Sequence, residues 1–379
     1  MECPPVLLMS HRTRSLSACR RPWTALGTGV LLLGLSPLGG GRLAAFTSEQ
    51  ADALFEAHRR AFYVERDGKA WFKESTDGGK VSFWMRAEQM EMVVDAHERT
   101  RNPEHRTMFT RLFHGFLADH GTNWSRNPFN DDLLWMVIAC ARAHRAWGDP
   151  EFLAAARMHY DLTYARSASP DLGGGLWWKT DNRSKNACVN GPAAIAAHLL
   201  GLSTGEERYR REATNTFLWL RDTLFDPATG RVCDNIATNG RVARVSYSYN
   251  QGTFVGAAHL LGYPDEALKA AEFARRELGR DGFLPPGDER GDGGGFNGIA
   301  LRWIALFARE RRTGETLLPW LRANAQAAWQ ARRPEDLLSW CRWPRATEEG
   351  RRYSWGCSSA VVALQCVPPD ESTDPGSRP

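Results

Sequence analysis

The chain has 379 residues, 42% of them hydrophobic and 24% charged, with a formal net charge of +4. That length allows one large domain or two ordinary ones, and that balance excludes a largely disordered chain. The basic residues are scattered rather than gathered on one face, so nucleic acid is not an expected partner.

Residues 1–45 read as a signal peptide. The basic stretch "HRTRSLSACRRP" precedes the apolar run "WTALGTGVLLLGL", and small residues follow to Ala44 and Ala45. The Arg20-Arg21 pair hints at a twin-arginine signal. The apolar run is too short and too Gly-rich for a good membrane span, and no other long apolar stretch follows. The mature form is therefore expected to lack a membrane span, to be secreted or periplasmic, and to be a monomer. Residues 368–379 read as a disordered polar tail without a lipid-anchor signal. Beyond the signal stand six cysteines. Cys140 lies in an apolar helical run and is expected to be a buried thiol. Cys341, Cys357 and Cys366 are close enough in sequence to pair in an exported protein. None has zinc-site spacing, and neither metal nor cofactor is expected.

Between residues 46 and 367, helical periodicity marks twelve segments. The first opens at Ser48 with an expected capping box to Glu49 or Asp52. The fourth starts at Asp131-Asp132. "WGDPEFL", "STGEERY", "LGYPDEAL" and "RTGETLL" share one form: Gly ends a helix, an acidic residue follows, and another helix opens. Such hairpins predict an all-α (α/α)6 toroid. Small apolar segments such as "PAAIAAHLL" belong inside it, and charged ones such as "EERYRREA" outside. Three long stretches rich in Gly, Asn, Asp and Trp join outer helices to the next inner ones: "SASPDLGGGLWWKTDNRS", "DPATGRVCDNIATNGRVARVSYSY" and "GRDGFLPPGDERGDGGG". All should emerge at one end, where long loops mark a functional cleft.

The aromatic content is high, with 15 Trp, 17 Phe and 8 Tyr. Trp124, Trp177, Trp178 and Trp355 lie in loop-like stretches, which suits stacking on sugar rings, although most of the tryptophans read as core. Asp131 and Asp132 are either helix-capping residues or a catalytic pair. Retaining glycosidases need two carboxyls ~5–5.5 Å apart, and adjacent residues in a helix diverge around one sugar by about that distance. The helix N-terminus favours one anion, and mutual repulsion raises one pKa.

Further candidates surround that pair. After three glycines, at least one of Trp177 and Trp178 should contact a sugar, while the other fills the core. Asn186 and Asn190 share a helix face, suited to sugar hydroxyls or to loop support. Tyr249, Asn250 and Gln251 offer donors and acceptors, although Gln251 also suits a bracing role. Trp84 and Phe296 open other inner helices, in cleft or core. Asp292 has Gly-rich flanks but lacks the spaced carboxylates of a calcium loop. It is expected to contact substrate or shape the loop, as are Asp181 and Asp234.

Four motifs in order resemble glycoside hydrolase family 76, the α-1,6-mannanase family. They are Asp131-Asp132 with Trp135, "GGGLWWKTD…KNACVNG", "YNQGTFVGAA" and "GDGGGFNGIALRW". The resemblance implies an (α/α)6 fold and retaining hydrolysis of α-mannosidic bonds, with endo-α-1,6-mannanase activity expected. It implies Asp131 as nucleophile and Asp132 as general acid/base, and a polysaccharide or oligosaccharide containing α-mannose as partner. Met136 stands where the family tends to carry a second Trp, and Asn297 where it often has Lys. Both departures bear on substrate preference. A mannan-binding protein without catalysis and another (α/α)6 carbohydrate-active enzyme are the alternatives.

Overall fold

A computed structural model describes residues 46–311 and 316–369. The expected signal segment, the tail from 370 onward and residues 312–315 of "RTGETLL" lie outside the described residues.

Helix α1 (Ser48–Phe62) is capped by Thr47, one residue before the expected Ser48. The Gln50 N–H donates to Thr47 Oγ1 at 3.3 Å, and the Thr47 N–H donates to Gln50 Oε1 at 3.1 Å. Thr47 is extended while Ser48 is already helical, which places Gln50 at the third position of the box. An antiparallel meander that helical periodicity did not mark follows: β1 (Tyr63–Arg66), β2 (Lys69–Ser75) and β3 (Gly78–Lys80). Asp67-Gly68, both at positive φ, makes its first turn, a strong short-range hairpin signal.

Next come α2 (Phe83–Thr100), α3 (Glu104–His120), α4 (Asn130–Trp147) and α5 (Pro150–Ser167). The α4–α5 turn has the anticipated chemistry. Gly148 is left-handed at φ 73°, and the Asp149 side chain accepts the Glu151 N–H at 3.1 Å. Strand β4 (Ser184–Asn186) leads into α6 (Ala187–Thr204) and α7 (Glu207–Leu224). Short strands β5 (Phe225–Asp226), β6 (Arg231–Val232), β7 (Asn235–Ala237) and β8 (Val242–Ala243) precede α8 (Ser248–Leu260). Strand β7 pairs with both β4 and β8, tying the loop before α6 to the loop before α8. Then follow α9 (Pro264–Phe273), α10 (Phe296–Glu310), α11 (Leu317–Gln330) and α12 (Ser354–Cys366).

The even-numbered helices pack each against the next, and α12 closes on α2. The odd-numbered helices pack around this ring, making the (α/α)6 barrel. Helix α6 is buried on nearly every face through Ala, Gly and Ile. Helix α7 buries one stripe, Tyr209, Ala213, Phe217, Leu220 and Leu224, and turns Arg208, Arg210 and Arg211 outward.

Charges run through part of the barrel interior. Glu88, Glu91 and Asp95 share one face of α2 and are buried. Arg142 of α4 pairs with Glu91 and Asp95, both at 2.8 Å. Arg302 of α10 pairs with Glu88 at 2.6 Å and Asp95 at 2.8 Å. Burial raises the Glu88 carboxyl, against the pull of Arg302. The six cysteines of the described residues are free, so Cys341, Cys357 and Cys366 do not pair. Cys357 and Cys366 lie on one helix about 13 Å apart along its axis, too far for a disulfide.

Candidate active site

The inner helices all start at the same end. Their first turns, with the loops before them, enclose a cleft of about 690 Å³. Trp84 of α2, Asp131, Asp132 and Trp135 of α4, Cys188 of α6, Tyr249 of α8 and Phe296 of α10 line it. The loops add Phe129, Trp178, Asp234, Tyr247 and Asp292.

The start of α4 is held from below. Asn130 donates from Nδ2 to the Trp177 carbonyl at 2.7 Å, and its N–H donates to the Trp178 carbonyl at 2.9 Å. Arg166 of α5 donates to Asn130 Oδ1 at 2.6 Å and to the carbonyls of Ser125 and Asn127 at 3.0 Å. Three directed bonds from one guanidinium thus fix the loop that presents both aspartates. Phe129 takes the cap position of α4 and makes no side-chain capping bond, so the acidic pair is not a cap.

Asp131 and Asp132 are partly buried side by side. Burial pushes the Asp131 carboxyl up to about 8, and the Asp132 charge adds to the rise. The neighbouring Trp178 indole and Cys188 thiol oppose it. Asp131 Oδ1 is buried without a hydrogen-bond partner. Burial raises Asp132 to about 6, and the Asp292 charge contributes. Asn127 opposes that rise by donating from Nδ2 to Asp132 Oδ2 at 2.8 Å. Loss of hydration therefore outweighs the helix N-terminus that was expected to favour an anion. The two groups titrate together and retain one proton near neutral pH. A protonated carboxyl beside an ionised one can donate a proton on one side of a bond and supply a negative charge on the other.

Aromatic rings form the walls. Tyr249 stacks on Phe296 with centroids 4.0 Å apart, and Trp84 lies 6.3 Å from Phe296 and 6.2 Å from Trp135. Phe129 meets Trp178 edge-on at 5.5 Å on another side. Trp355 backs Trp84 at 4.8 Å, and its Nε1 donates to the Asp292 carbonyl at 3.0 Å. A Cβ on Gly295 would come within 2.1 Å of the Trp355 ring, so the glycine run lets this loop pack down. Among the described residues no His, Cys, Asp and Glu group is arranged to hold a metal.

Of the substrate-contact candidates, Trp84, Trp178, Asn186, Tyr249, Asp292 and Phe296 line the cleft. Trp177, Asn190, Asn250 and Gln251 do not, and each is buried as a support. Trp177 lies against Lys185, whose buried ammonium is 4.6 Å from the ring and donates to the carbonyls of Ser169, Asp171 and Gly174. Asn190 bonds both the N–H and the carbonyl of Leu176. Asn250 donates to Asp234 at 3.1 Å. Gln251 ties α8 to Gly230, Val232 and Ala270. Trp124 is also interior, stacked on His159 at 3.5 Å. Asp181 is held by the Arg183 N–H and Lys179, away from the cleft lining. Cys188 and Tyr247 were not singled out for the site. Cys188 belongs to the motif "KNACVNG" and Tyr247 closes the long stretch before α8, which was the available signal.

The family model for glycosyl hydrolase family 76 matches residues 47–368. The chain belongs to glycosyl hydrolase family 76. A curated relative is the mannan endo-1,6-alpha-mannosidase DFG5 of Saccharomyces cerevisiae, 28% identical over 170 residues. That match covers 38% of this chain and 37% of the relative. Among solved structures, the GH76A alpha-1,6-mannanase of Salegentibacter sp. HEL1_6 is 30% identical, with a TM-score of 0.77. The match covers 84% of this chain and 98% of that one. An inactive variant of the same mannanase, with two consecutive aspartates replaced by asparagine, is solved in complex with alpha-1,6-mannotriose. It matches with the same identity, TM-score and coverage. This family 76 chain thus shares its fold along almost the full length of that structure.

Proposed function

We propose that this family 76 chain is an exported, retaining glycoside hydrolase that cleaves α-mannosidic bonds, with linear α-1,6-mannan as its endo substrate. The observation that carries this reading is the pair Asp131 and Asp132, sharing a proton on an aromatic-walled cleft. The free pair keeps its one proton mainly on Asp131, so the reactive form is the tautomer with that proton on Asp132. The carboxylate of Asp131 then attacks the anomeric carbon as Asp132 protonates the departing glycosidic oxygen. Asp132 then takes a proton from water, whose oxygen displaces Asp131 and restores the enzyme. Trp84, Trp178, Tyr249 and Phe296 stack on the sugars, and Asn186, Asp234 and Asp292 bond hydroxyls. The Salegentibacter variant supports the reading, because two consecutive aspartates were replaced in an inactive protein that carries an α-1,6-linked oligosaccharide.

Product analysis on linear α-1,6-mannan tests this with the native protein, Asp131→Asn and Asp132→Asn. Short manno-oligosaccharides from the native protein, absent with both variants, are expected. Binding of mannan without products in all three proteins would instead assign a binding role.

A further inference from the structure

The same inner helices end at the opposite mouth of the barrel, around a second cavity of about 420 Å³. Six arginines line it: Arg99, Arg101, Arg142, Arg145, Arg302 and Arg309. Its acidic lining groups are already engaged. Arg142 holds Asp95 at 2.8 Å and Glu98 at 3.0 Å, Arg302 shares Asp95, and His259 meets Glu310 at 2.7 Å. Arg99 is bonded to Gln365 and Asp52. The side chains of Arg101, Arg145 and Arg309 are exposed and make no ion pair or hydrogen bond to any described residue.

A plain structural role accounts for part of this. Arg145 and Arg309 lie in the last turns of α4 and α10, where a cation complements the negative helix end. That role explains neither the cavity between them nor Trp303. Trp303 belongs to the wall, is 4% exposed, and has a buried Nε1–H without an acceptor. An unsatisfied buried donor costs free energy unless something accepts from it. Leu199, Leu260 and Leu306 supply an apolar side to the same cavity.

We infer that this mouth binds a small organic oxyanion, a phosphate, sulfate or carboxylate carried on a body about the size of one sugar. The free guanidinium forks match the anion's oxygens, the leucines face the body, and the volume falls in the small-molecule range of about 300–1,000 Å³. The inference is independent of the chemistry in the main cleft.

The test is ligand titration, by calorimetry and thermal unfolding, of the native protein and of an Arg145→Ala/Arg309→Ala variant. The probes are mannose 6-phosphate, glucuronate, inorganic phosphate and sulfate, with mannose and sodium chloride at matched ionic strength as controls. Mannose 6-phosphate or glucuronate is expected to bind and raise the Tm beyond the chloride control. The double variant, whose side chains are exposed and whose hydrolysis of mannan should be unchanged, should lose at least about tenfold in affinity, or 1.4 kcal/mol. Tighter binding of the sugar anions than of the inorganic ions assigns the body to the leucine side, and equal binding of both would overturn the organic body. No stabilisation beyond chloride by any oxyanion, or binding undiminished in the double variant, would overturn the inference.

Discussion

Asn127 donates its side-chain amide to Asp132 at 2.8 Å, whereas Asp131 beside it keeps a buried Oδ1 without a partner. Two adjacent carboxyls thus occupy different electrostatic positions on one helix turn. Burial raises both, to about 8 for Asp131 and about 6 for Asp132. Burial and the Asp132 charge raise Asp131, while the Asn127 bond opposes the rise of Asp132.

The two replacements should differ in how they can be rescued. Asp132→Asn is expected to lose about 10²–10⁴-fold in turnover on mannan, the usual worth of a general acid. Its kcat/KM, which reports the first step, should recover on an aryl mannoside whose leaving group needs no proton, while kcat stays low because the second step still lacks its base. Asp131→Ala should stay inactive on both substrates and respond to added azide with a product of inverted configuration. Full activity of Asp131→Ala on mannan would remove it as the nucleophile.

The pH profile of mannan hydrolysis should be bell-shaped, highest between about 6 and 8, where the pair holds one proton. Asn127→Ala removes a bond that favours the Asp132 anion, so the acid limb should move up by about one pH unit. An unmoved acid limb in that variant would count against Asp132 as the group it reports.

Stability follows the same shifts with a definite sign. Both folded values lie above the unfolded value of about 3.9, so the folded chain binds more protons in the window between. The pair's contribution to stability therefore falls as pH rises through that window, and the full cost is present above about 8. Thermal unfolding of Asp131→Asn should give a Tm above the native one at pH 8 and near it at pH 4.

Wall and support residues should separate kinetically. Trp84→Ala, at the cleft, is expected to raise KM for mannan about tenfold, corresponding to roughly 1.4 kcal/mol of lost stacking. Gln251→Ala should leave KM nearly unchanged and lower stability by about 1–3 kcal/mol, because buried partners at Gly230, Val232 and Ala270 lose their bonds. Denaturant unfolding and steady-state kinetics on both variants decide this.

In the barrel interior, Arg302→Met should cost about 3–5 kcal/mol, since it leaves the buried Asp95 and Glu91 charges to Arg142 alone and takes the partner from Glu88. Glu88→Gln should be mild at pH 7, because burial already favours the protonated acid. Equal losses in urea unfolding would contradict this account of the cluster.

Much of the barrel was legible because its signals are local. Helix period, the Gly148-Asp149 turn and the acidic start of α4 depend on residues within a few positions of one another. The local signals failed where chemistry was shared between distant segments. Asp67-Gly68 marks a hairpin that helical spacing hides. Nothing near Arg166 tells that it clamps Asn130, and nothing near Glu88, Glu91 and Asp95 tells that Arg142 and Arg302 neutralise them inside a ring of helices.

Trp177 and Trp178 state the division most clearly. By itself the sequence determined that two adjacent rings follow three glycines, which led to the expectation that one serves the cleft and one the core. Only the tertiary structure decided which. Asn130 binds the backbone of both residues and sets the loop's rotation. Trp177 then faces the buried Lys185, and Trp178 faces the Asp131 carboxyl. That choice depends on docking a loop against a helix that begins some 50 residues earlier, a relationship carried by packing and absent from any local pattern.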